Sequence, residues 1–160
     1  YTTLFRSKFV LNMRSIKFRG KRIDNGMWVD GDLVTTLTPK GSMVTCPAIH
    51  TTNGTIGTFF VHPETVGQFT GLFDKNGEKI YEGDIVKKTT KSGYPDEYIA
   101  EIVFRDGSFG LKNNSRYGLP VCILVKESNW VDGNASGKST YEYEIIGNVY
   151  ENRNLSANRQ

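Results

Sequence analysis

Several groups of residues have types and spacings that could do chemistry, and each points to a different reaction or ligand. Gly133-Asn134-Ala135-Ser136-Gly137-Lys138-Ser139-Thr140 approaches the pattern G-x-x-x-x-G-K-[ST], whose glycine-rich loop cradles phosphates at a helix N-terminus. The spacing fails, because the first glycine belongs at position 132 and Asp132 stands there. The residues that follow, Tyr141-Glu142-Tyr143-Glu144-Ile145-Ile146, alternate like a strand instead of opening a helix. The run therefore reads as a hairpin loop. Cys46, His50 and His62, with Cys122 as a remote fourth ligand, could be assembled into a zinc set. Zinc sites favour clustered ligand pairs, and this spacing matches no such framework. A nucleophilic triad would need His50 or His62 as its base, and no Gly-x-Ser-x-Gly elbow holds a serine strained and exposed. Asp74, Glu78, Glu82 and Asp84 place four carboxylates close together, the raw material for paired acid–base chemistry. Their turn contexts favour structural roles. No catalytic residue, metal or cofactor is assigned.

The basic stretch Arg14-Ser15-Ile16-Lys17-Phe18-Arg19-Gly20-Lys21-Arg22 is the best candidate for nucleic-acid contact. As a strand it sets Lys17, Arg19 and Lys21 on one face, a spacing that can track a phosphate backbone. The competing reading is an edge strand whose charges guard against self-pairing. Lys87-Lys88 and Lys91 form a second small cluster.

The elements that must position these residues are β-like. Asp24-Asn25-Gly26, Asp30-Gly31, Asn53-Gly54, Asn76-Gly77, Asp106-Gly107 and Asp132-Gly133 punctuate the chain, and such pairs supply the positive φ of hairpin turns. Between them lie short strand-like runs: Ile16–Arg19, Met27–Val29, Gly57–Val61, Ile85-Val86, Tyr98–Phe104 and Tyr141–Tyr150. Val121–Val125 is continuously apolar and reads as a central buried strand. Thr89–Glu97, Lys112–Gly118 and Asp132–Ser139 read as loops. Helical periodicity is nearly absent, and Pro63–Phe69 is allowed one turn at most because Gly67 interrupts it. Asp30-Gly31-Asp32-Leu33-Val34 echoes Glu82-Gly83-Asp84-Ile85-Val86. The echo suggests one local device used twice, a glycine bend tied by an aspartate.

The chain has 160 residues, 38% of them hydrophobic, with nine Phe, eight Tyr and two Trp. That is enough apolar surface for one ordered domain. No apolar run approaches the ~20 residues of a membrane-spanning helix. The formal charge of +3 includes Arg6 and Lys8, and only +1 belongs to the chain from Met13 onward. A basic balance is thus weak support for a nucleic-acid partner. Residues 1–12 contain no acid and no secretory h-region, and read as an appended or upstream leader outside the fold. Residues 13–152 read as a single β domain, and 153–160 as a polar tail. Cys46 and Cys122 read as free thiols of a reducing compartment.

Phe69-Thr70-Gly71-Leu72-Phe73-Asp74-Lys75-Asn76-Gly77-Glu78-Lys79-Ile80-Tyr81-Glu82-Gly83-Asp84-Ile85-Val86, preceded by Thr65-Val66-Gly67-Gln68, resembles the central motif of the YopX-type family of phage and prophage proteins. The flanks Ile16–Lys21, Gly26–Leu33 and Ile146–Asn152 extend the resemblance from Met13 to Asn152. The resemblance implies a small, mainly β domain with an SH3-like barrel element, encoded in a phage genome and residing in the cytoplasm of the bacterial host. It carries over no activity, cofactor or catalytic residue. Within the motif, Gly71, Asp74, Asn76, Gly77, Tyr81, Gly83 and Asp84 read as architectural. Asp74-Lys75-Asn76-Gly77 makes a turn, Tyr81 packs, Gly83 permits a bend and Asp84 caps it, so that Asp84→Asn should be tolerated. The expected function is a non-enzymatic accessory protein that works by self-association or by binding a host factor. The alternative is a nucleic-acid-binding module using the Lys17/Arg19/Lys21 face.

Overall fold

The computed structural model describes residues 15–37, 45–54, 56–91, 97–112, 121–132 and 135–152. The expected leader 1–12 and tail 153–160 lie outside the described residues, as do Gly133, Asn134 and the middles of the first two expected loops. Among the described residues the architecture is nearly all β, with 68% strand and 3% helix, in two antiparallel sheets. The first sheet is built from β1 (Phe18–Lys21), β2 (Trp28–Leu37), β3 (Thr45–Thr51), β4 (Gly57–Phe60), β5 (Gly67–Phe73) and β6 (Lys79–Tyr81). Its spatial order is β4-β3-β2-β1-β5-β6. The second contains β7 (Asp84–Thr90), β8 (Glu97–Arg105), β9 (Ser108–Lys112), β10 (Val121–Ile123), β11 (Glu127–Asp132) and β12 (Ala135–Asn148). Its order is β10-β9-β8-β7-β12-β11. Pro63–Thr65 forms the single 3-10 turn that the proline allowed.

The hairpin turn at Asp24-Asn25-Gly26 joins β1 to β2 as expected. Gly26 takes φ +71°, Asn25 Oδ1 accepts from the Met27 N–H, and Arg19 is thereby set opposite Asp30 and Lys21 opposite Trp28. The first sheet then curls back on itself. An isolated bridge joins Arg22 to Val61, and the Ile23 N–H donates to the Phe60 carbonyl at 3.0 Å. β1 is therefore not an edge strand: it runs between β2 and β5. The motif from Phe69 to Val86 carries the chain through β5, β6 and into β7, so its turn residues fall where the two sheets meet. A core cluster of Val86, Ala100, Ile102, Leu111, Leu124 and Tyr143 lies against the second sheet, joined from the first by Ile80 of β6.

Three local expectations change. Gly31 is no turn residue; it lies buried inside β2, where an added Cβ would stand 2.1 Å from the His50 carbonyl oxygen. Gly83 instead takes φ +81°, so the echoed segments use glycine for different reasons, one for close strand approach and one for a bend. Val121–Ile123 is an outer strand of its sheet, not a central one. Ala135–Ser139 belongs to β12, paired with β11, and is not loop. Lys138, Ser139 and Thr140 thus sit on a strand. Among the described residues, no helix is long and apolar enough to cross a membrane.

Candidate functional site

The junction of the sheets holds a cleft of about 580 Å³ lined by Arg19, Trp28, Asp30, Phe73, Asp74, Glu78, Lys79, Tyr81 and Ile145, among others. Its floor is an ion pair. Arg19 Nη2 stands 2.6 Å from Asp84 Oδ1, with the two side chains 15% and 1% exposed. Asp84 begins β7 at the far side of the Glu82-Gly83 bend, and its other oxygen accepts from the Tyr81 N–H at 2.7 Å. The Arg19–Asp84 contact has the distance of an ion pair but not the alignment of a hydrogen bond, and Arg19 Nε and Asp84 Oδ1 are buried without a hydrogen-bond partner. Burial pushes the Asp84 carboxyl above its ordinary range, opposed first by the charge of Arg19 and then by the Tyr81 N–H. The guanidinium lies between two rings, 4.8 Å from the Trp28 centroid and 5.0 Å from that of Tyr81. Such contacts contribute about 0.5–2 kcal/mol each, more when desolvated.

The walls carry further polar groups. Asp30 Oδ2 receives Lys79 Nζ at 2.8 Å and the Tyr81 hydroxyl at 3.4 Å. Burial and the Asp30 carboxylate together push the Tyr81 phenol well above its ordinary value. Asp74 closes the turn below Phe73. Its Oδ1 accepts from the Asn76 and Glu78 N–H groups at 2.7 and 2.9 Å, and its Oδ2 from the Ile145 N–H at 3.4 Å. Burial works to raise the Asp74 carboxyl, but these donors outweigh it and hold the group below its ordinary range. Asp74 therefore ties the β5–β6 turn to β12. Gly77 completes the turn at φ +87°, and Gly71 takes φ +88° within β5.

Of the three cations proposed for nucleic acid, Arg19 and Lys21 lie on β1 and Lys17 just before it, and acids that arrive from elsewhere in the fold meet each of them. Lys17 pairs with Asp32 at 2.7 Å, Arg19 with Asp84, and Lys21 with Glu151 at 3.3 Å. Glu151 also accepts from the Trp28 indole N–H at 2.9 Å. Neighbouring Arg22 is held by Asp24. Arg19 is half-buried in the cleft lining, and each cation of the row faces a carboxylate. The other candidate chemistry is dispersed. His50 Nδ1 contacts Thr58 Oγ1 at 2.9 Å, and His62 Nδ1 lies 3.7 Å from Glu64; neither lines the cleft. Among the described residues, no group of three His, Cys, Asp or Glu side chains is placed to hold a metal ion.

Sequence reasoning read Asn76, Gly77 and Tyr81 as structural, weighed Asp74 and Glu78 as acid–base carboxylates but favoured turn roles for them, and missed Trp28, Asp30, Phe73 and Lys79 as parts of one cleft. A signal for two of them was present. Pairing outward from the Asp24-Asn25-Gly26 turn sets Arg19 against Asp30 and Lys21 against Trp28, which puts the aromatic and the acid on the cationic face.

The fold and the cleft define a small, nearly all-β domain of two antiparallel sheets, locked where they meet by a buried ion pair. Residues 17–156 match the family model described as YopX protein, and the chain belongs to that family. Among solved structures, it is similar to a crystal structure of protein EF1440 from Enterococcus faecalis, at 22% identity and a TM-score of 0.45, over 89% of this chain and 99% of that one. Among curated proteins, none matches the chain.

Proposed function

We propose that this member of the YopX family is a phage or prophage accessory protein that works in the host cytoplasm as a non-enzymatic protein-interaction module. The observation that carries the reading is Phe73, a large aromatic side chain left 43% exposed on the lip of the cleft. Burying the exposed 43% of the ring in a partner is worth about 1 kcal/mol, and aromatic anchors beside pockets are the usual centres of protein interfaces. Met27, next to Trp28 in the chain, adds a second exposed apolar side chain at 63%. The cations that a nucleic-acid reading would use are engaged by Asp32, Asp84 and Glu151, so a phosphate backbone would have to displace each carboxylate. Both histidines lie outside the cleft, which leaves it without an imidazole base.

Sedimentation velocity tests the self-association branch. The full chain should form a concentration-dependent dimer or larger species, and Phe73→Ser with Met27→Ser should shift it to a monomer that is still folded by circular dichroism, its midpoint lowered only modestly by the lost Phe69 contact. A strictly monomeric wild type would remove that branch and leave a host factor as the partner.

A further inference from the structure

Internal ion pairs leave the charge of the cleft unbalanced. Arg19 is answered by Asp84, and Lys79 by a single oxygen of Asp30. Asp74 has its oxygens filled by N–H donors, which satisfy its hydrogen bonding without cancelling its charge, and they hold its carboxyl below the ordinary range so that it stays anionic. Glu78 is exposed beside it, and no described cation pairs with it. The lining therefore sets two cations, Arg19 and Lys79, against three carboxylates, Asp30, Asp74 and Glu78, with Asp84 buried behind Arg19. A recess with that excess attracts a positive group.

The aromatic lining narrows the shape of that group. Trp28 and Tyr81 already hold one planar cation, Arg19, at 4.8 and 5.0 Å. Phe73 stands at the lip with Phe69 edge-on at 5.4 Å, and among the described residues no other ring and no cation stands over it. Phe73 pairs across the strands with Lys79, and Lys79 contacts Asp30. The exposed ring, the Asp30 carboxylate and Glu78 therefore line the same cleft, Asp30 from β2 and the other two from the β5–β6 turn.

We propose that the cleft receives an arginine side chain of a partner protein, its guanidinium stacked on Phe73 and hydrogen-bonded to Asp30 and Glu78. Arginine suits the site better than lysine, because its planar fork both stacks on a ring and bonds a carboxylate through two N–H groups. A cavity of about 580 Å³ exceeds one side chain and leaves room for the flanking peptide backbone. The inference rests on the interaction reading above and names the chemistry of its anchor.

The test is a titration of the isotopically labelled full chain, followed by NMR, with the capped pentapeptide Gly-Gly-Arg-Gly-Gly and its Lys and Glu counterparts. The arginine peptide should produce saturable shifts at Gly77, Glu78, Lys79 and the Trp28 indole, larger than those from the lysine peptide. Glu78→Gln, an exposed change that leaves folding untouched, should weaken the response several-fold, and adding Asp30→Asn should bring the loss to about tenfold or more, the scale of a charge-assisted hydrogen bond. Absence of shifts, or equal shifts from the glutamate peptide, overturns the proposal. If that happens while Phe73→Ser still disrupts association, the interaction reading stands and only the arginine anchor is lost.

Discussion

Replacing Asp84 by asparagine tests the corner where the two sheets meet. If Asp84 only capped the Glu82-Gly83 bend, the amide oxygen would keep the Tyr81 N–H bond and little would change. In the structure the carboxylate is 1% exposed and is the counter-charge of Arg19. Removing one partner of a buried pair leaves the other charge unanswered, which costs ~3–5 kcal/mol. Arg19 keeps its stacking on Trp28 and Tyr81 and opens toward the cleft, and the neutral amide escapes the burial cost that raises the Asp84 carboxyl, so the loss falls at the lower end, about 3 kcal/mol at most. Asp84→Ala forfeits the cap as well and should lose about 1 kcal/mol more. In a domain of this size a kcal/mol moves Tm by about 2–4 °C, so Asp84→Asn should lower Tm by at most about 6–12 °C. Urea unfolding of Asp84→Asn, Arg19→Met and the double variant closes a cycle in which the double should lose clearly less than the sum of the singles. The pH dependence has a definite sign. Burial raises the Asp84 carboxyl in the folded chain, so the stability linked to its protonation is fully present below the ordinary carboxylate value, about 4, and is lost as pH rises through the raised folded value. Arg19 limits that rise. Arg19→Met should therefore recover part of its deficit as pH falls from 7 toward the carboxylate range. An Asp84→Asn variant within 1 kcal/mol of wild type, or strictly additive singles, would refute the ion-pair reasoning and restore the simple cap.

Two further predictions concern neighbouring elements. Asp74→Asn turns an NH₂ group toward donors that now bond a carboxylate, and should cost about 1–3 kcal/mol by urea unfolding. Because the Asp74 carboxyl is held below its ordinary range when folded, wild-type stability from this group is present above about pH 4 and lost as pH falls through the lower folded value, whereas the variant's curve should be flatter there. Gly31→Ala should be far worse than Gly77→Ala. The first drives a Cβ to 2.1 Å from the His50 carbonyl oxygen and should cost about 3 kcal/mol or more; the second meets open space at φ +87° and should cost only about 1–2 kcal/mol. Equal midpoints for the two would show that the strand contact at Gly31 relaxes.

Local turn chemistry was the most legible part of the fold. Asn25-Gly26, Asn53-Gly54, Asn76-Gly77 and Asp106-Gly107 all place glycine at positive φ, because these pairs read the same in any context. Asp30-Gly31 misled for the same reason: the dipeptide is identical in type, but the close approach of β3 decides its glycine. Alternation located β1, β4, β7 and β8 to within a few residues and set Lys17, Arg19 and Lys21 on one face. It could not show that β5 would cover the outer side of β1, or that Asp84 and Glu151 would meet that face, since those partners lie 65 and 130 residues along the chain from Arg19 and Lys21. Charge matching across such distances is a property of the folded sheets and not of any window of sequence. The cleft was half legible, its β5–β6 turn through the central motif and its β2 wall only through a register that the sequence reading did not pursue.

The central claim, that the protein engages another protein and not a nucleic acid, is tested most directly by affinity capture with the tagged full chain from host cells, with and without nuclease. A defined protein should be retained in both arms and lost when Phe73→Ser and Met27→Ser are introduced together. Recovery of nucleic acid with the wild type, and loss of every retained protein once nuclease is added, would contradict the account.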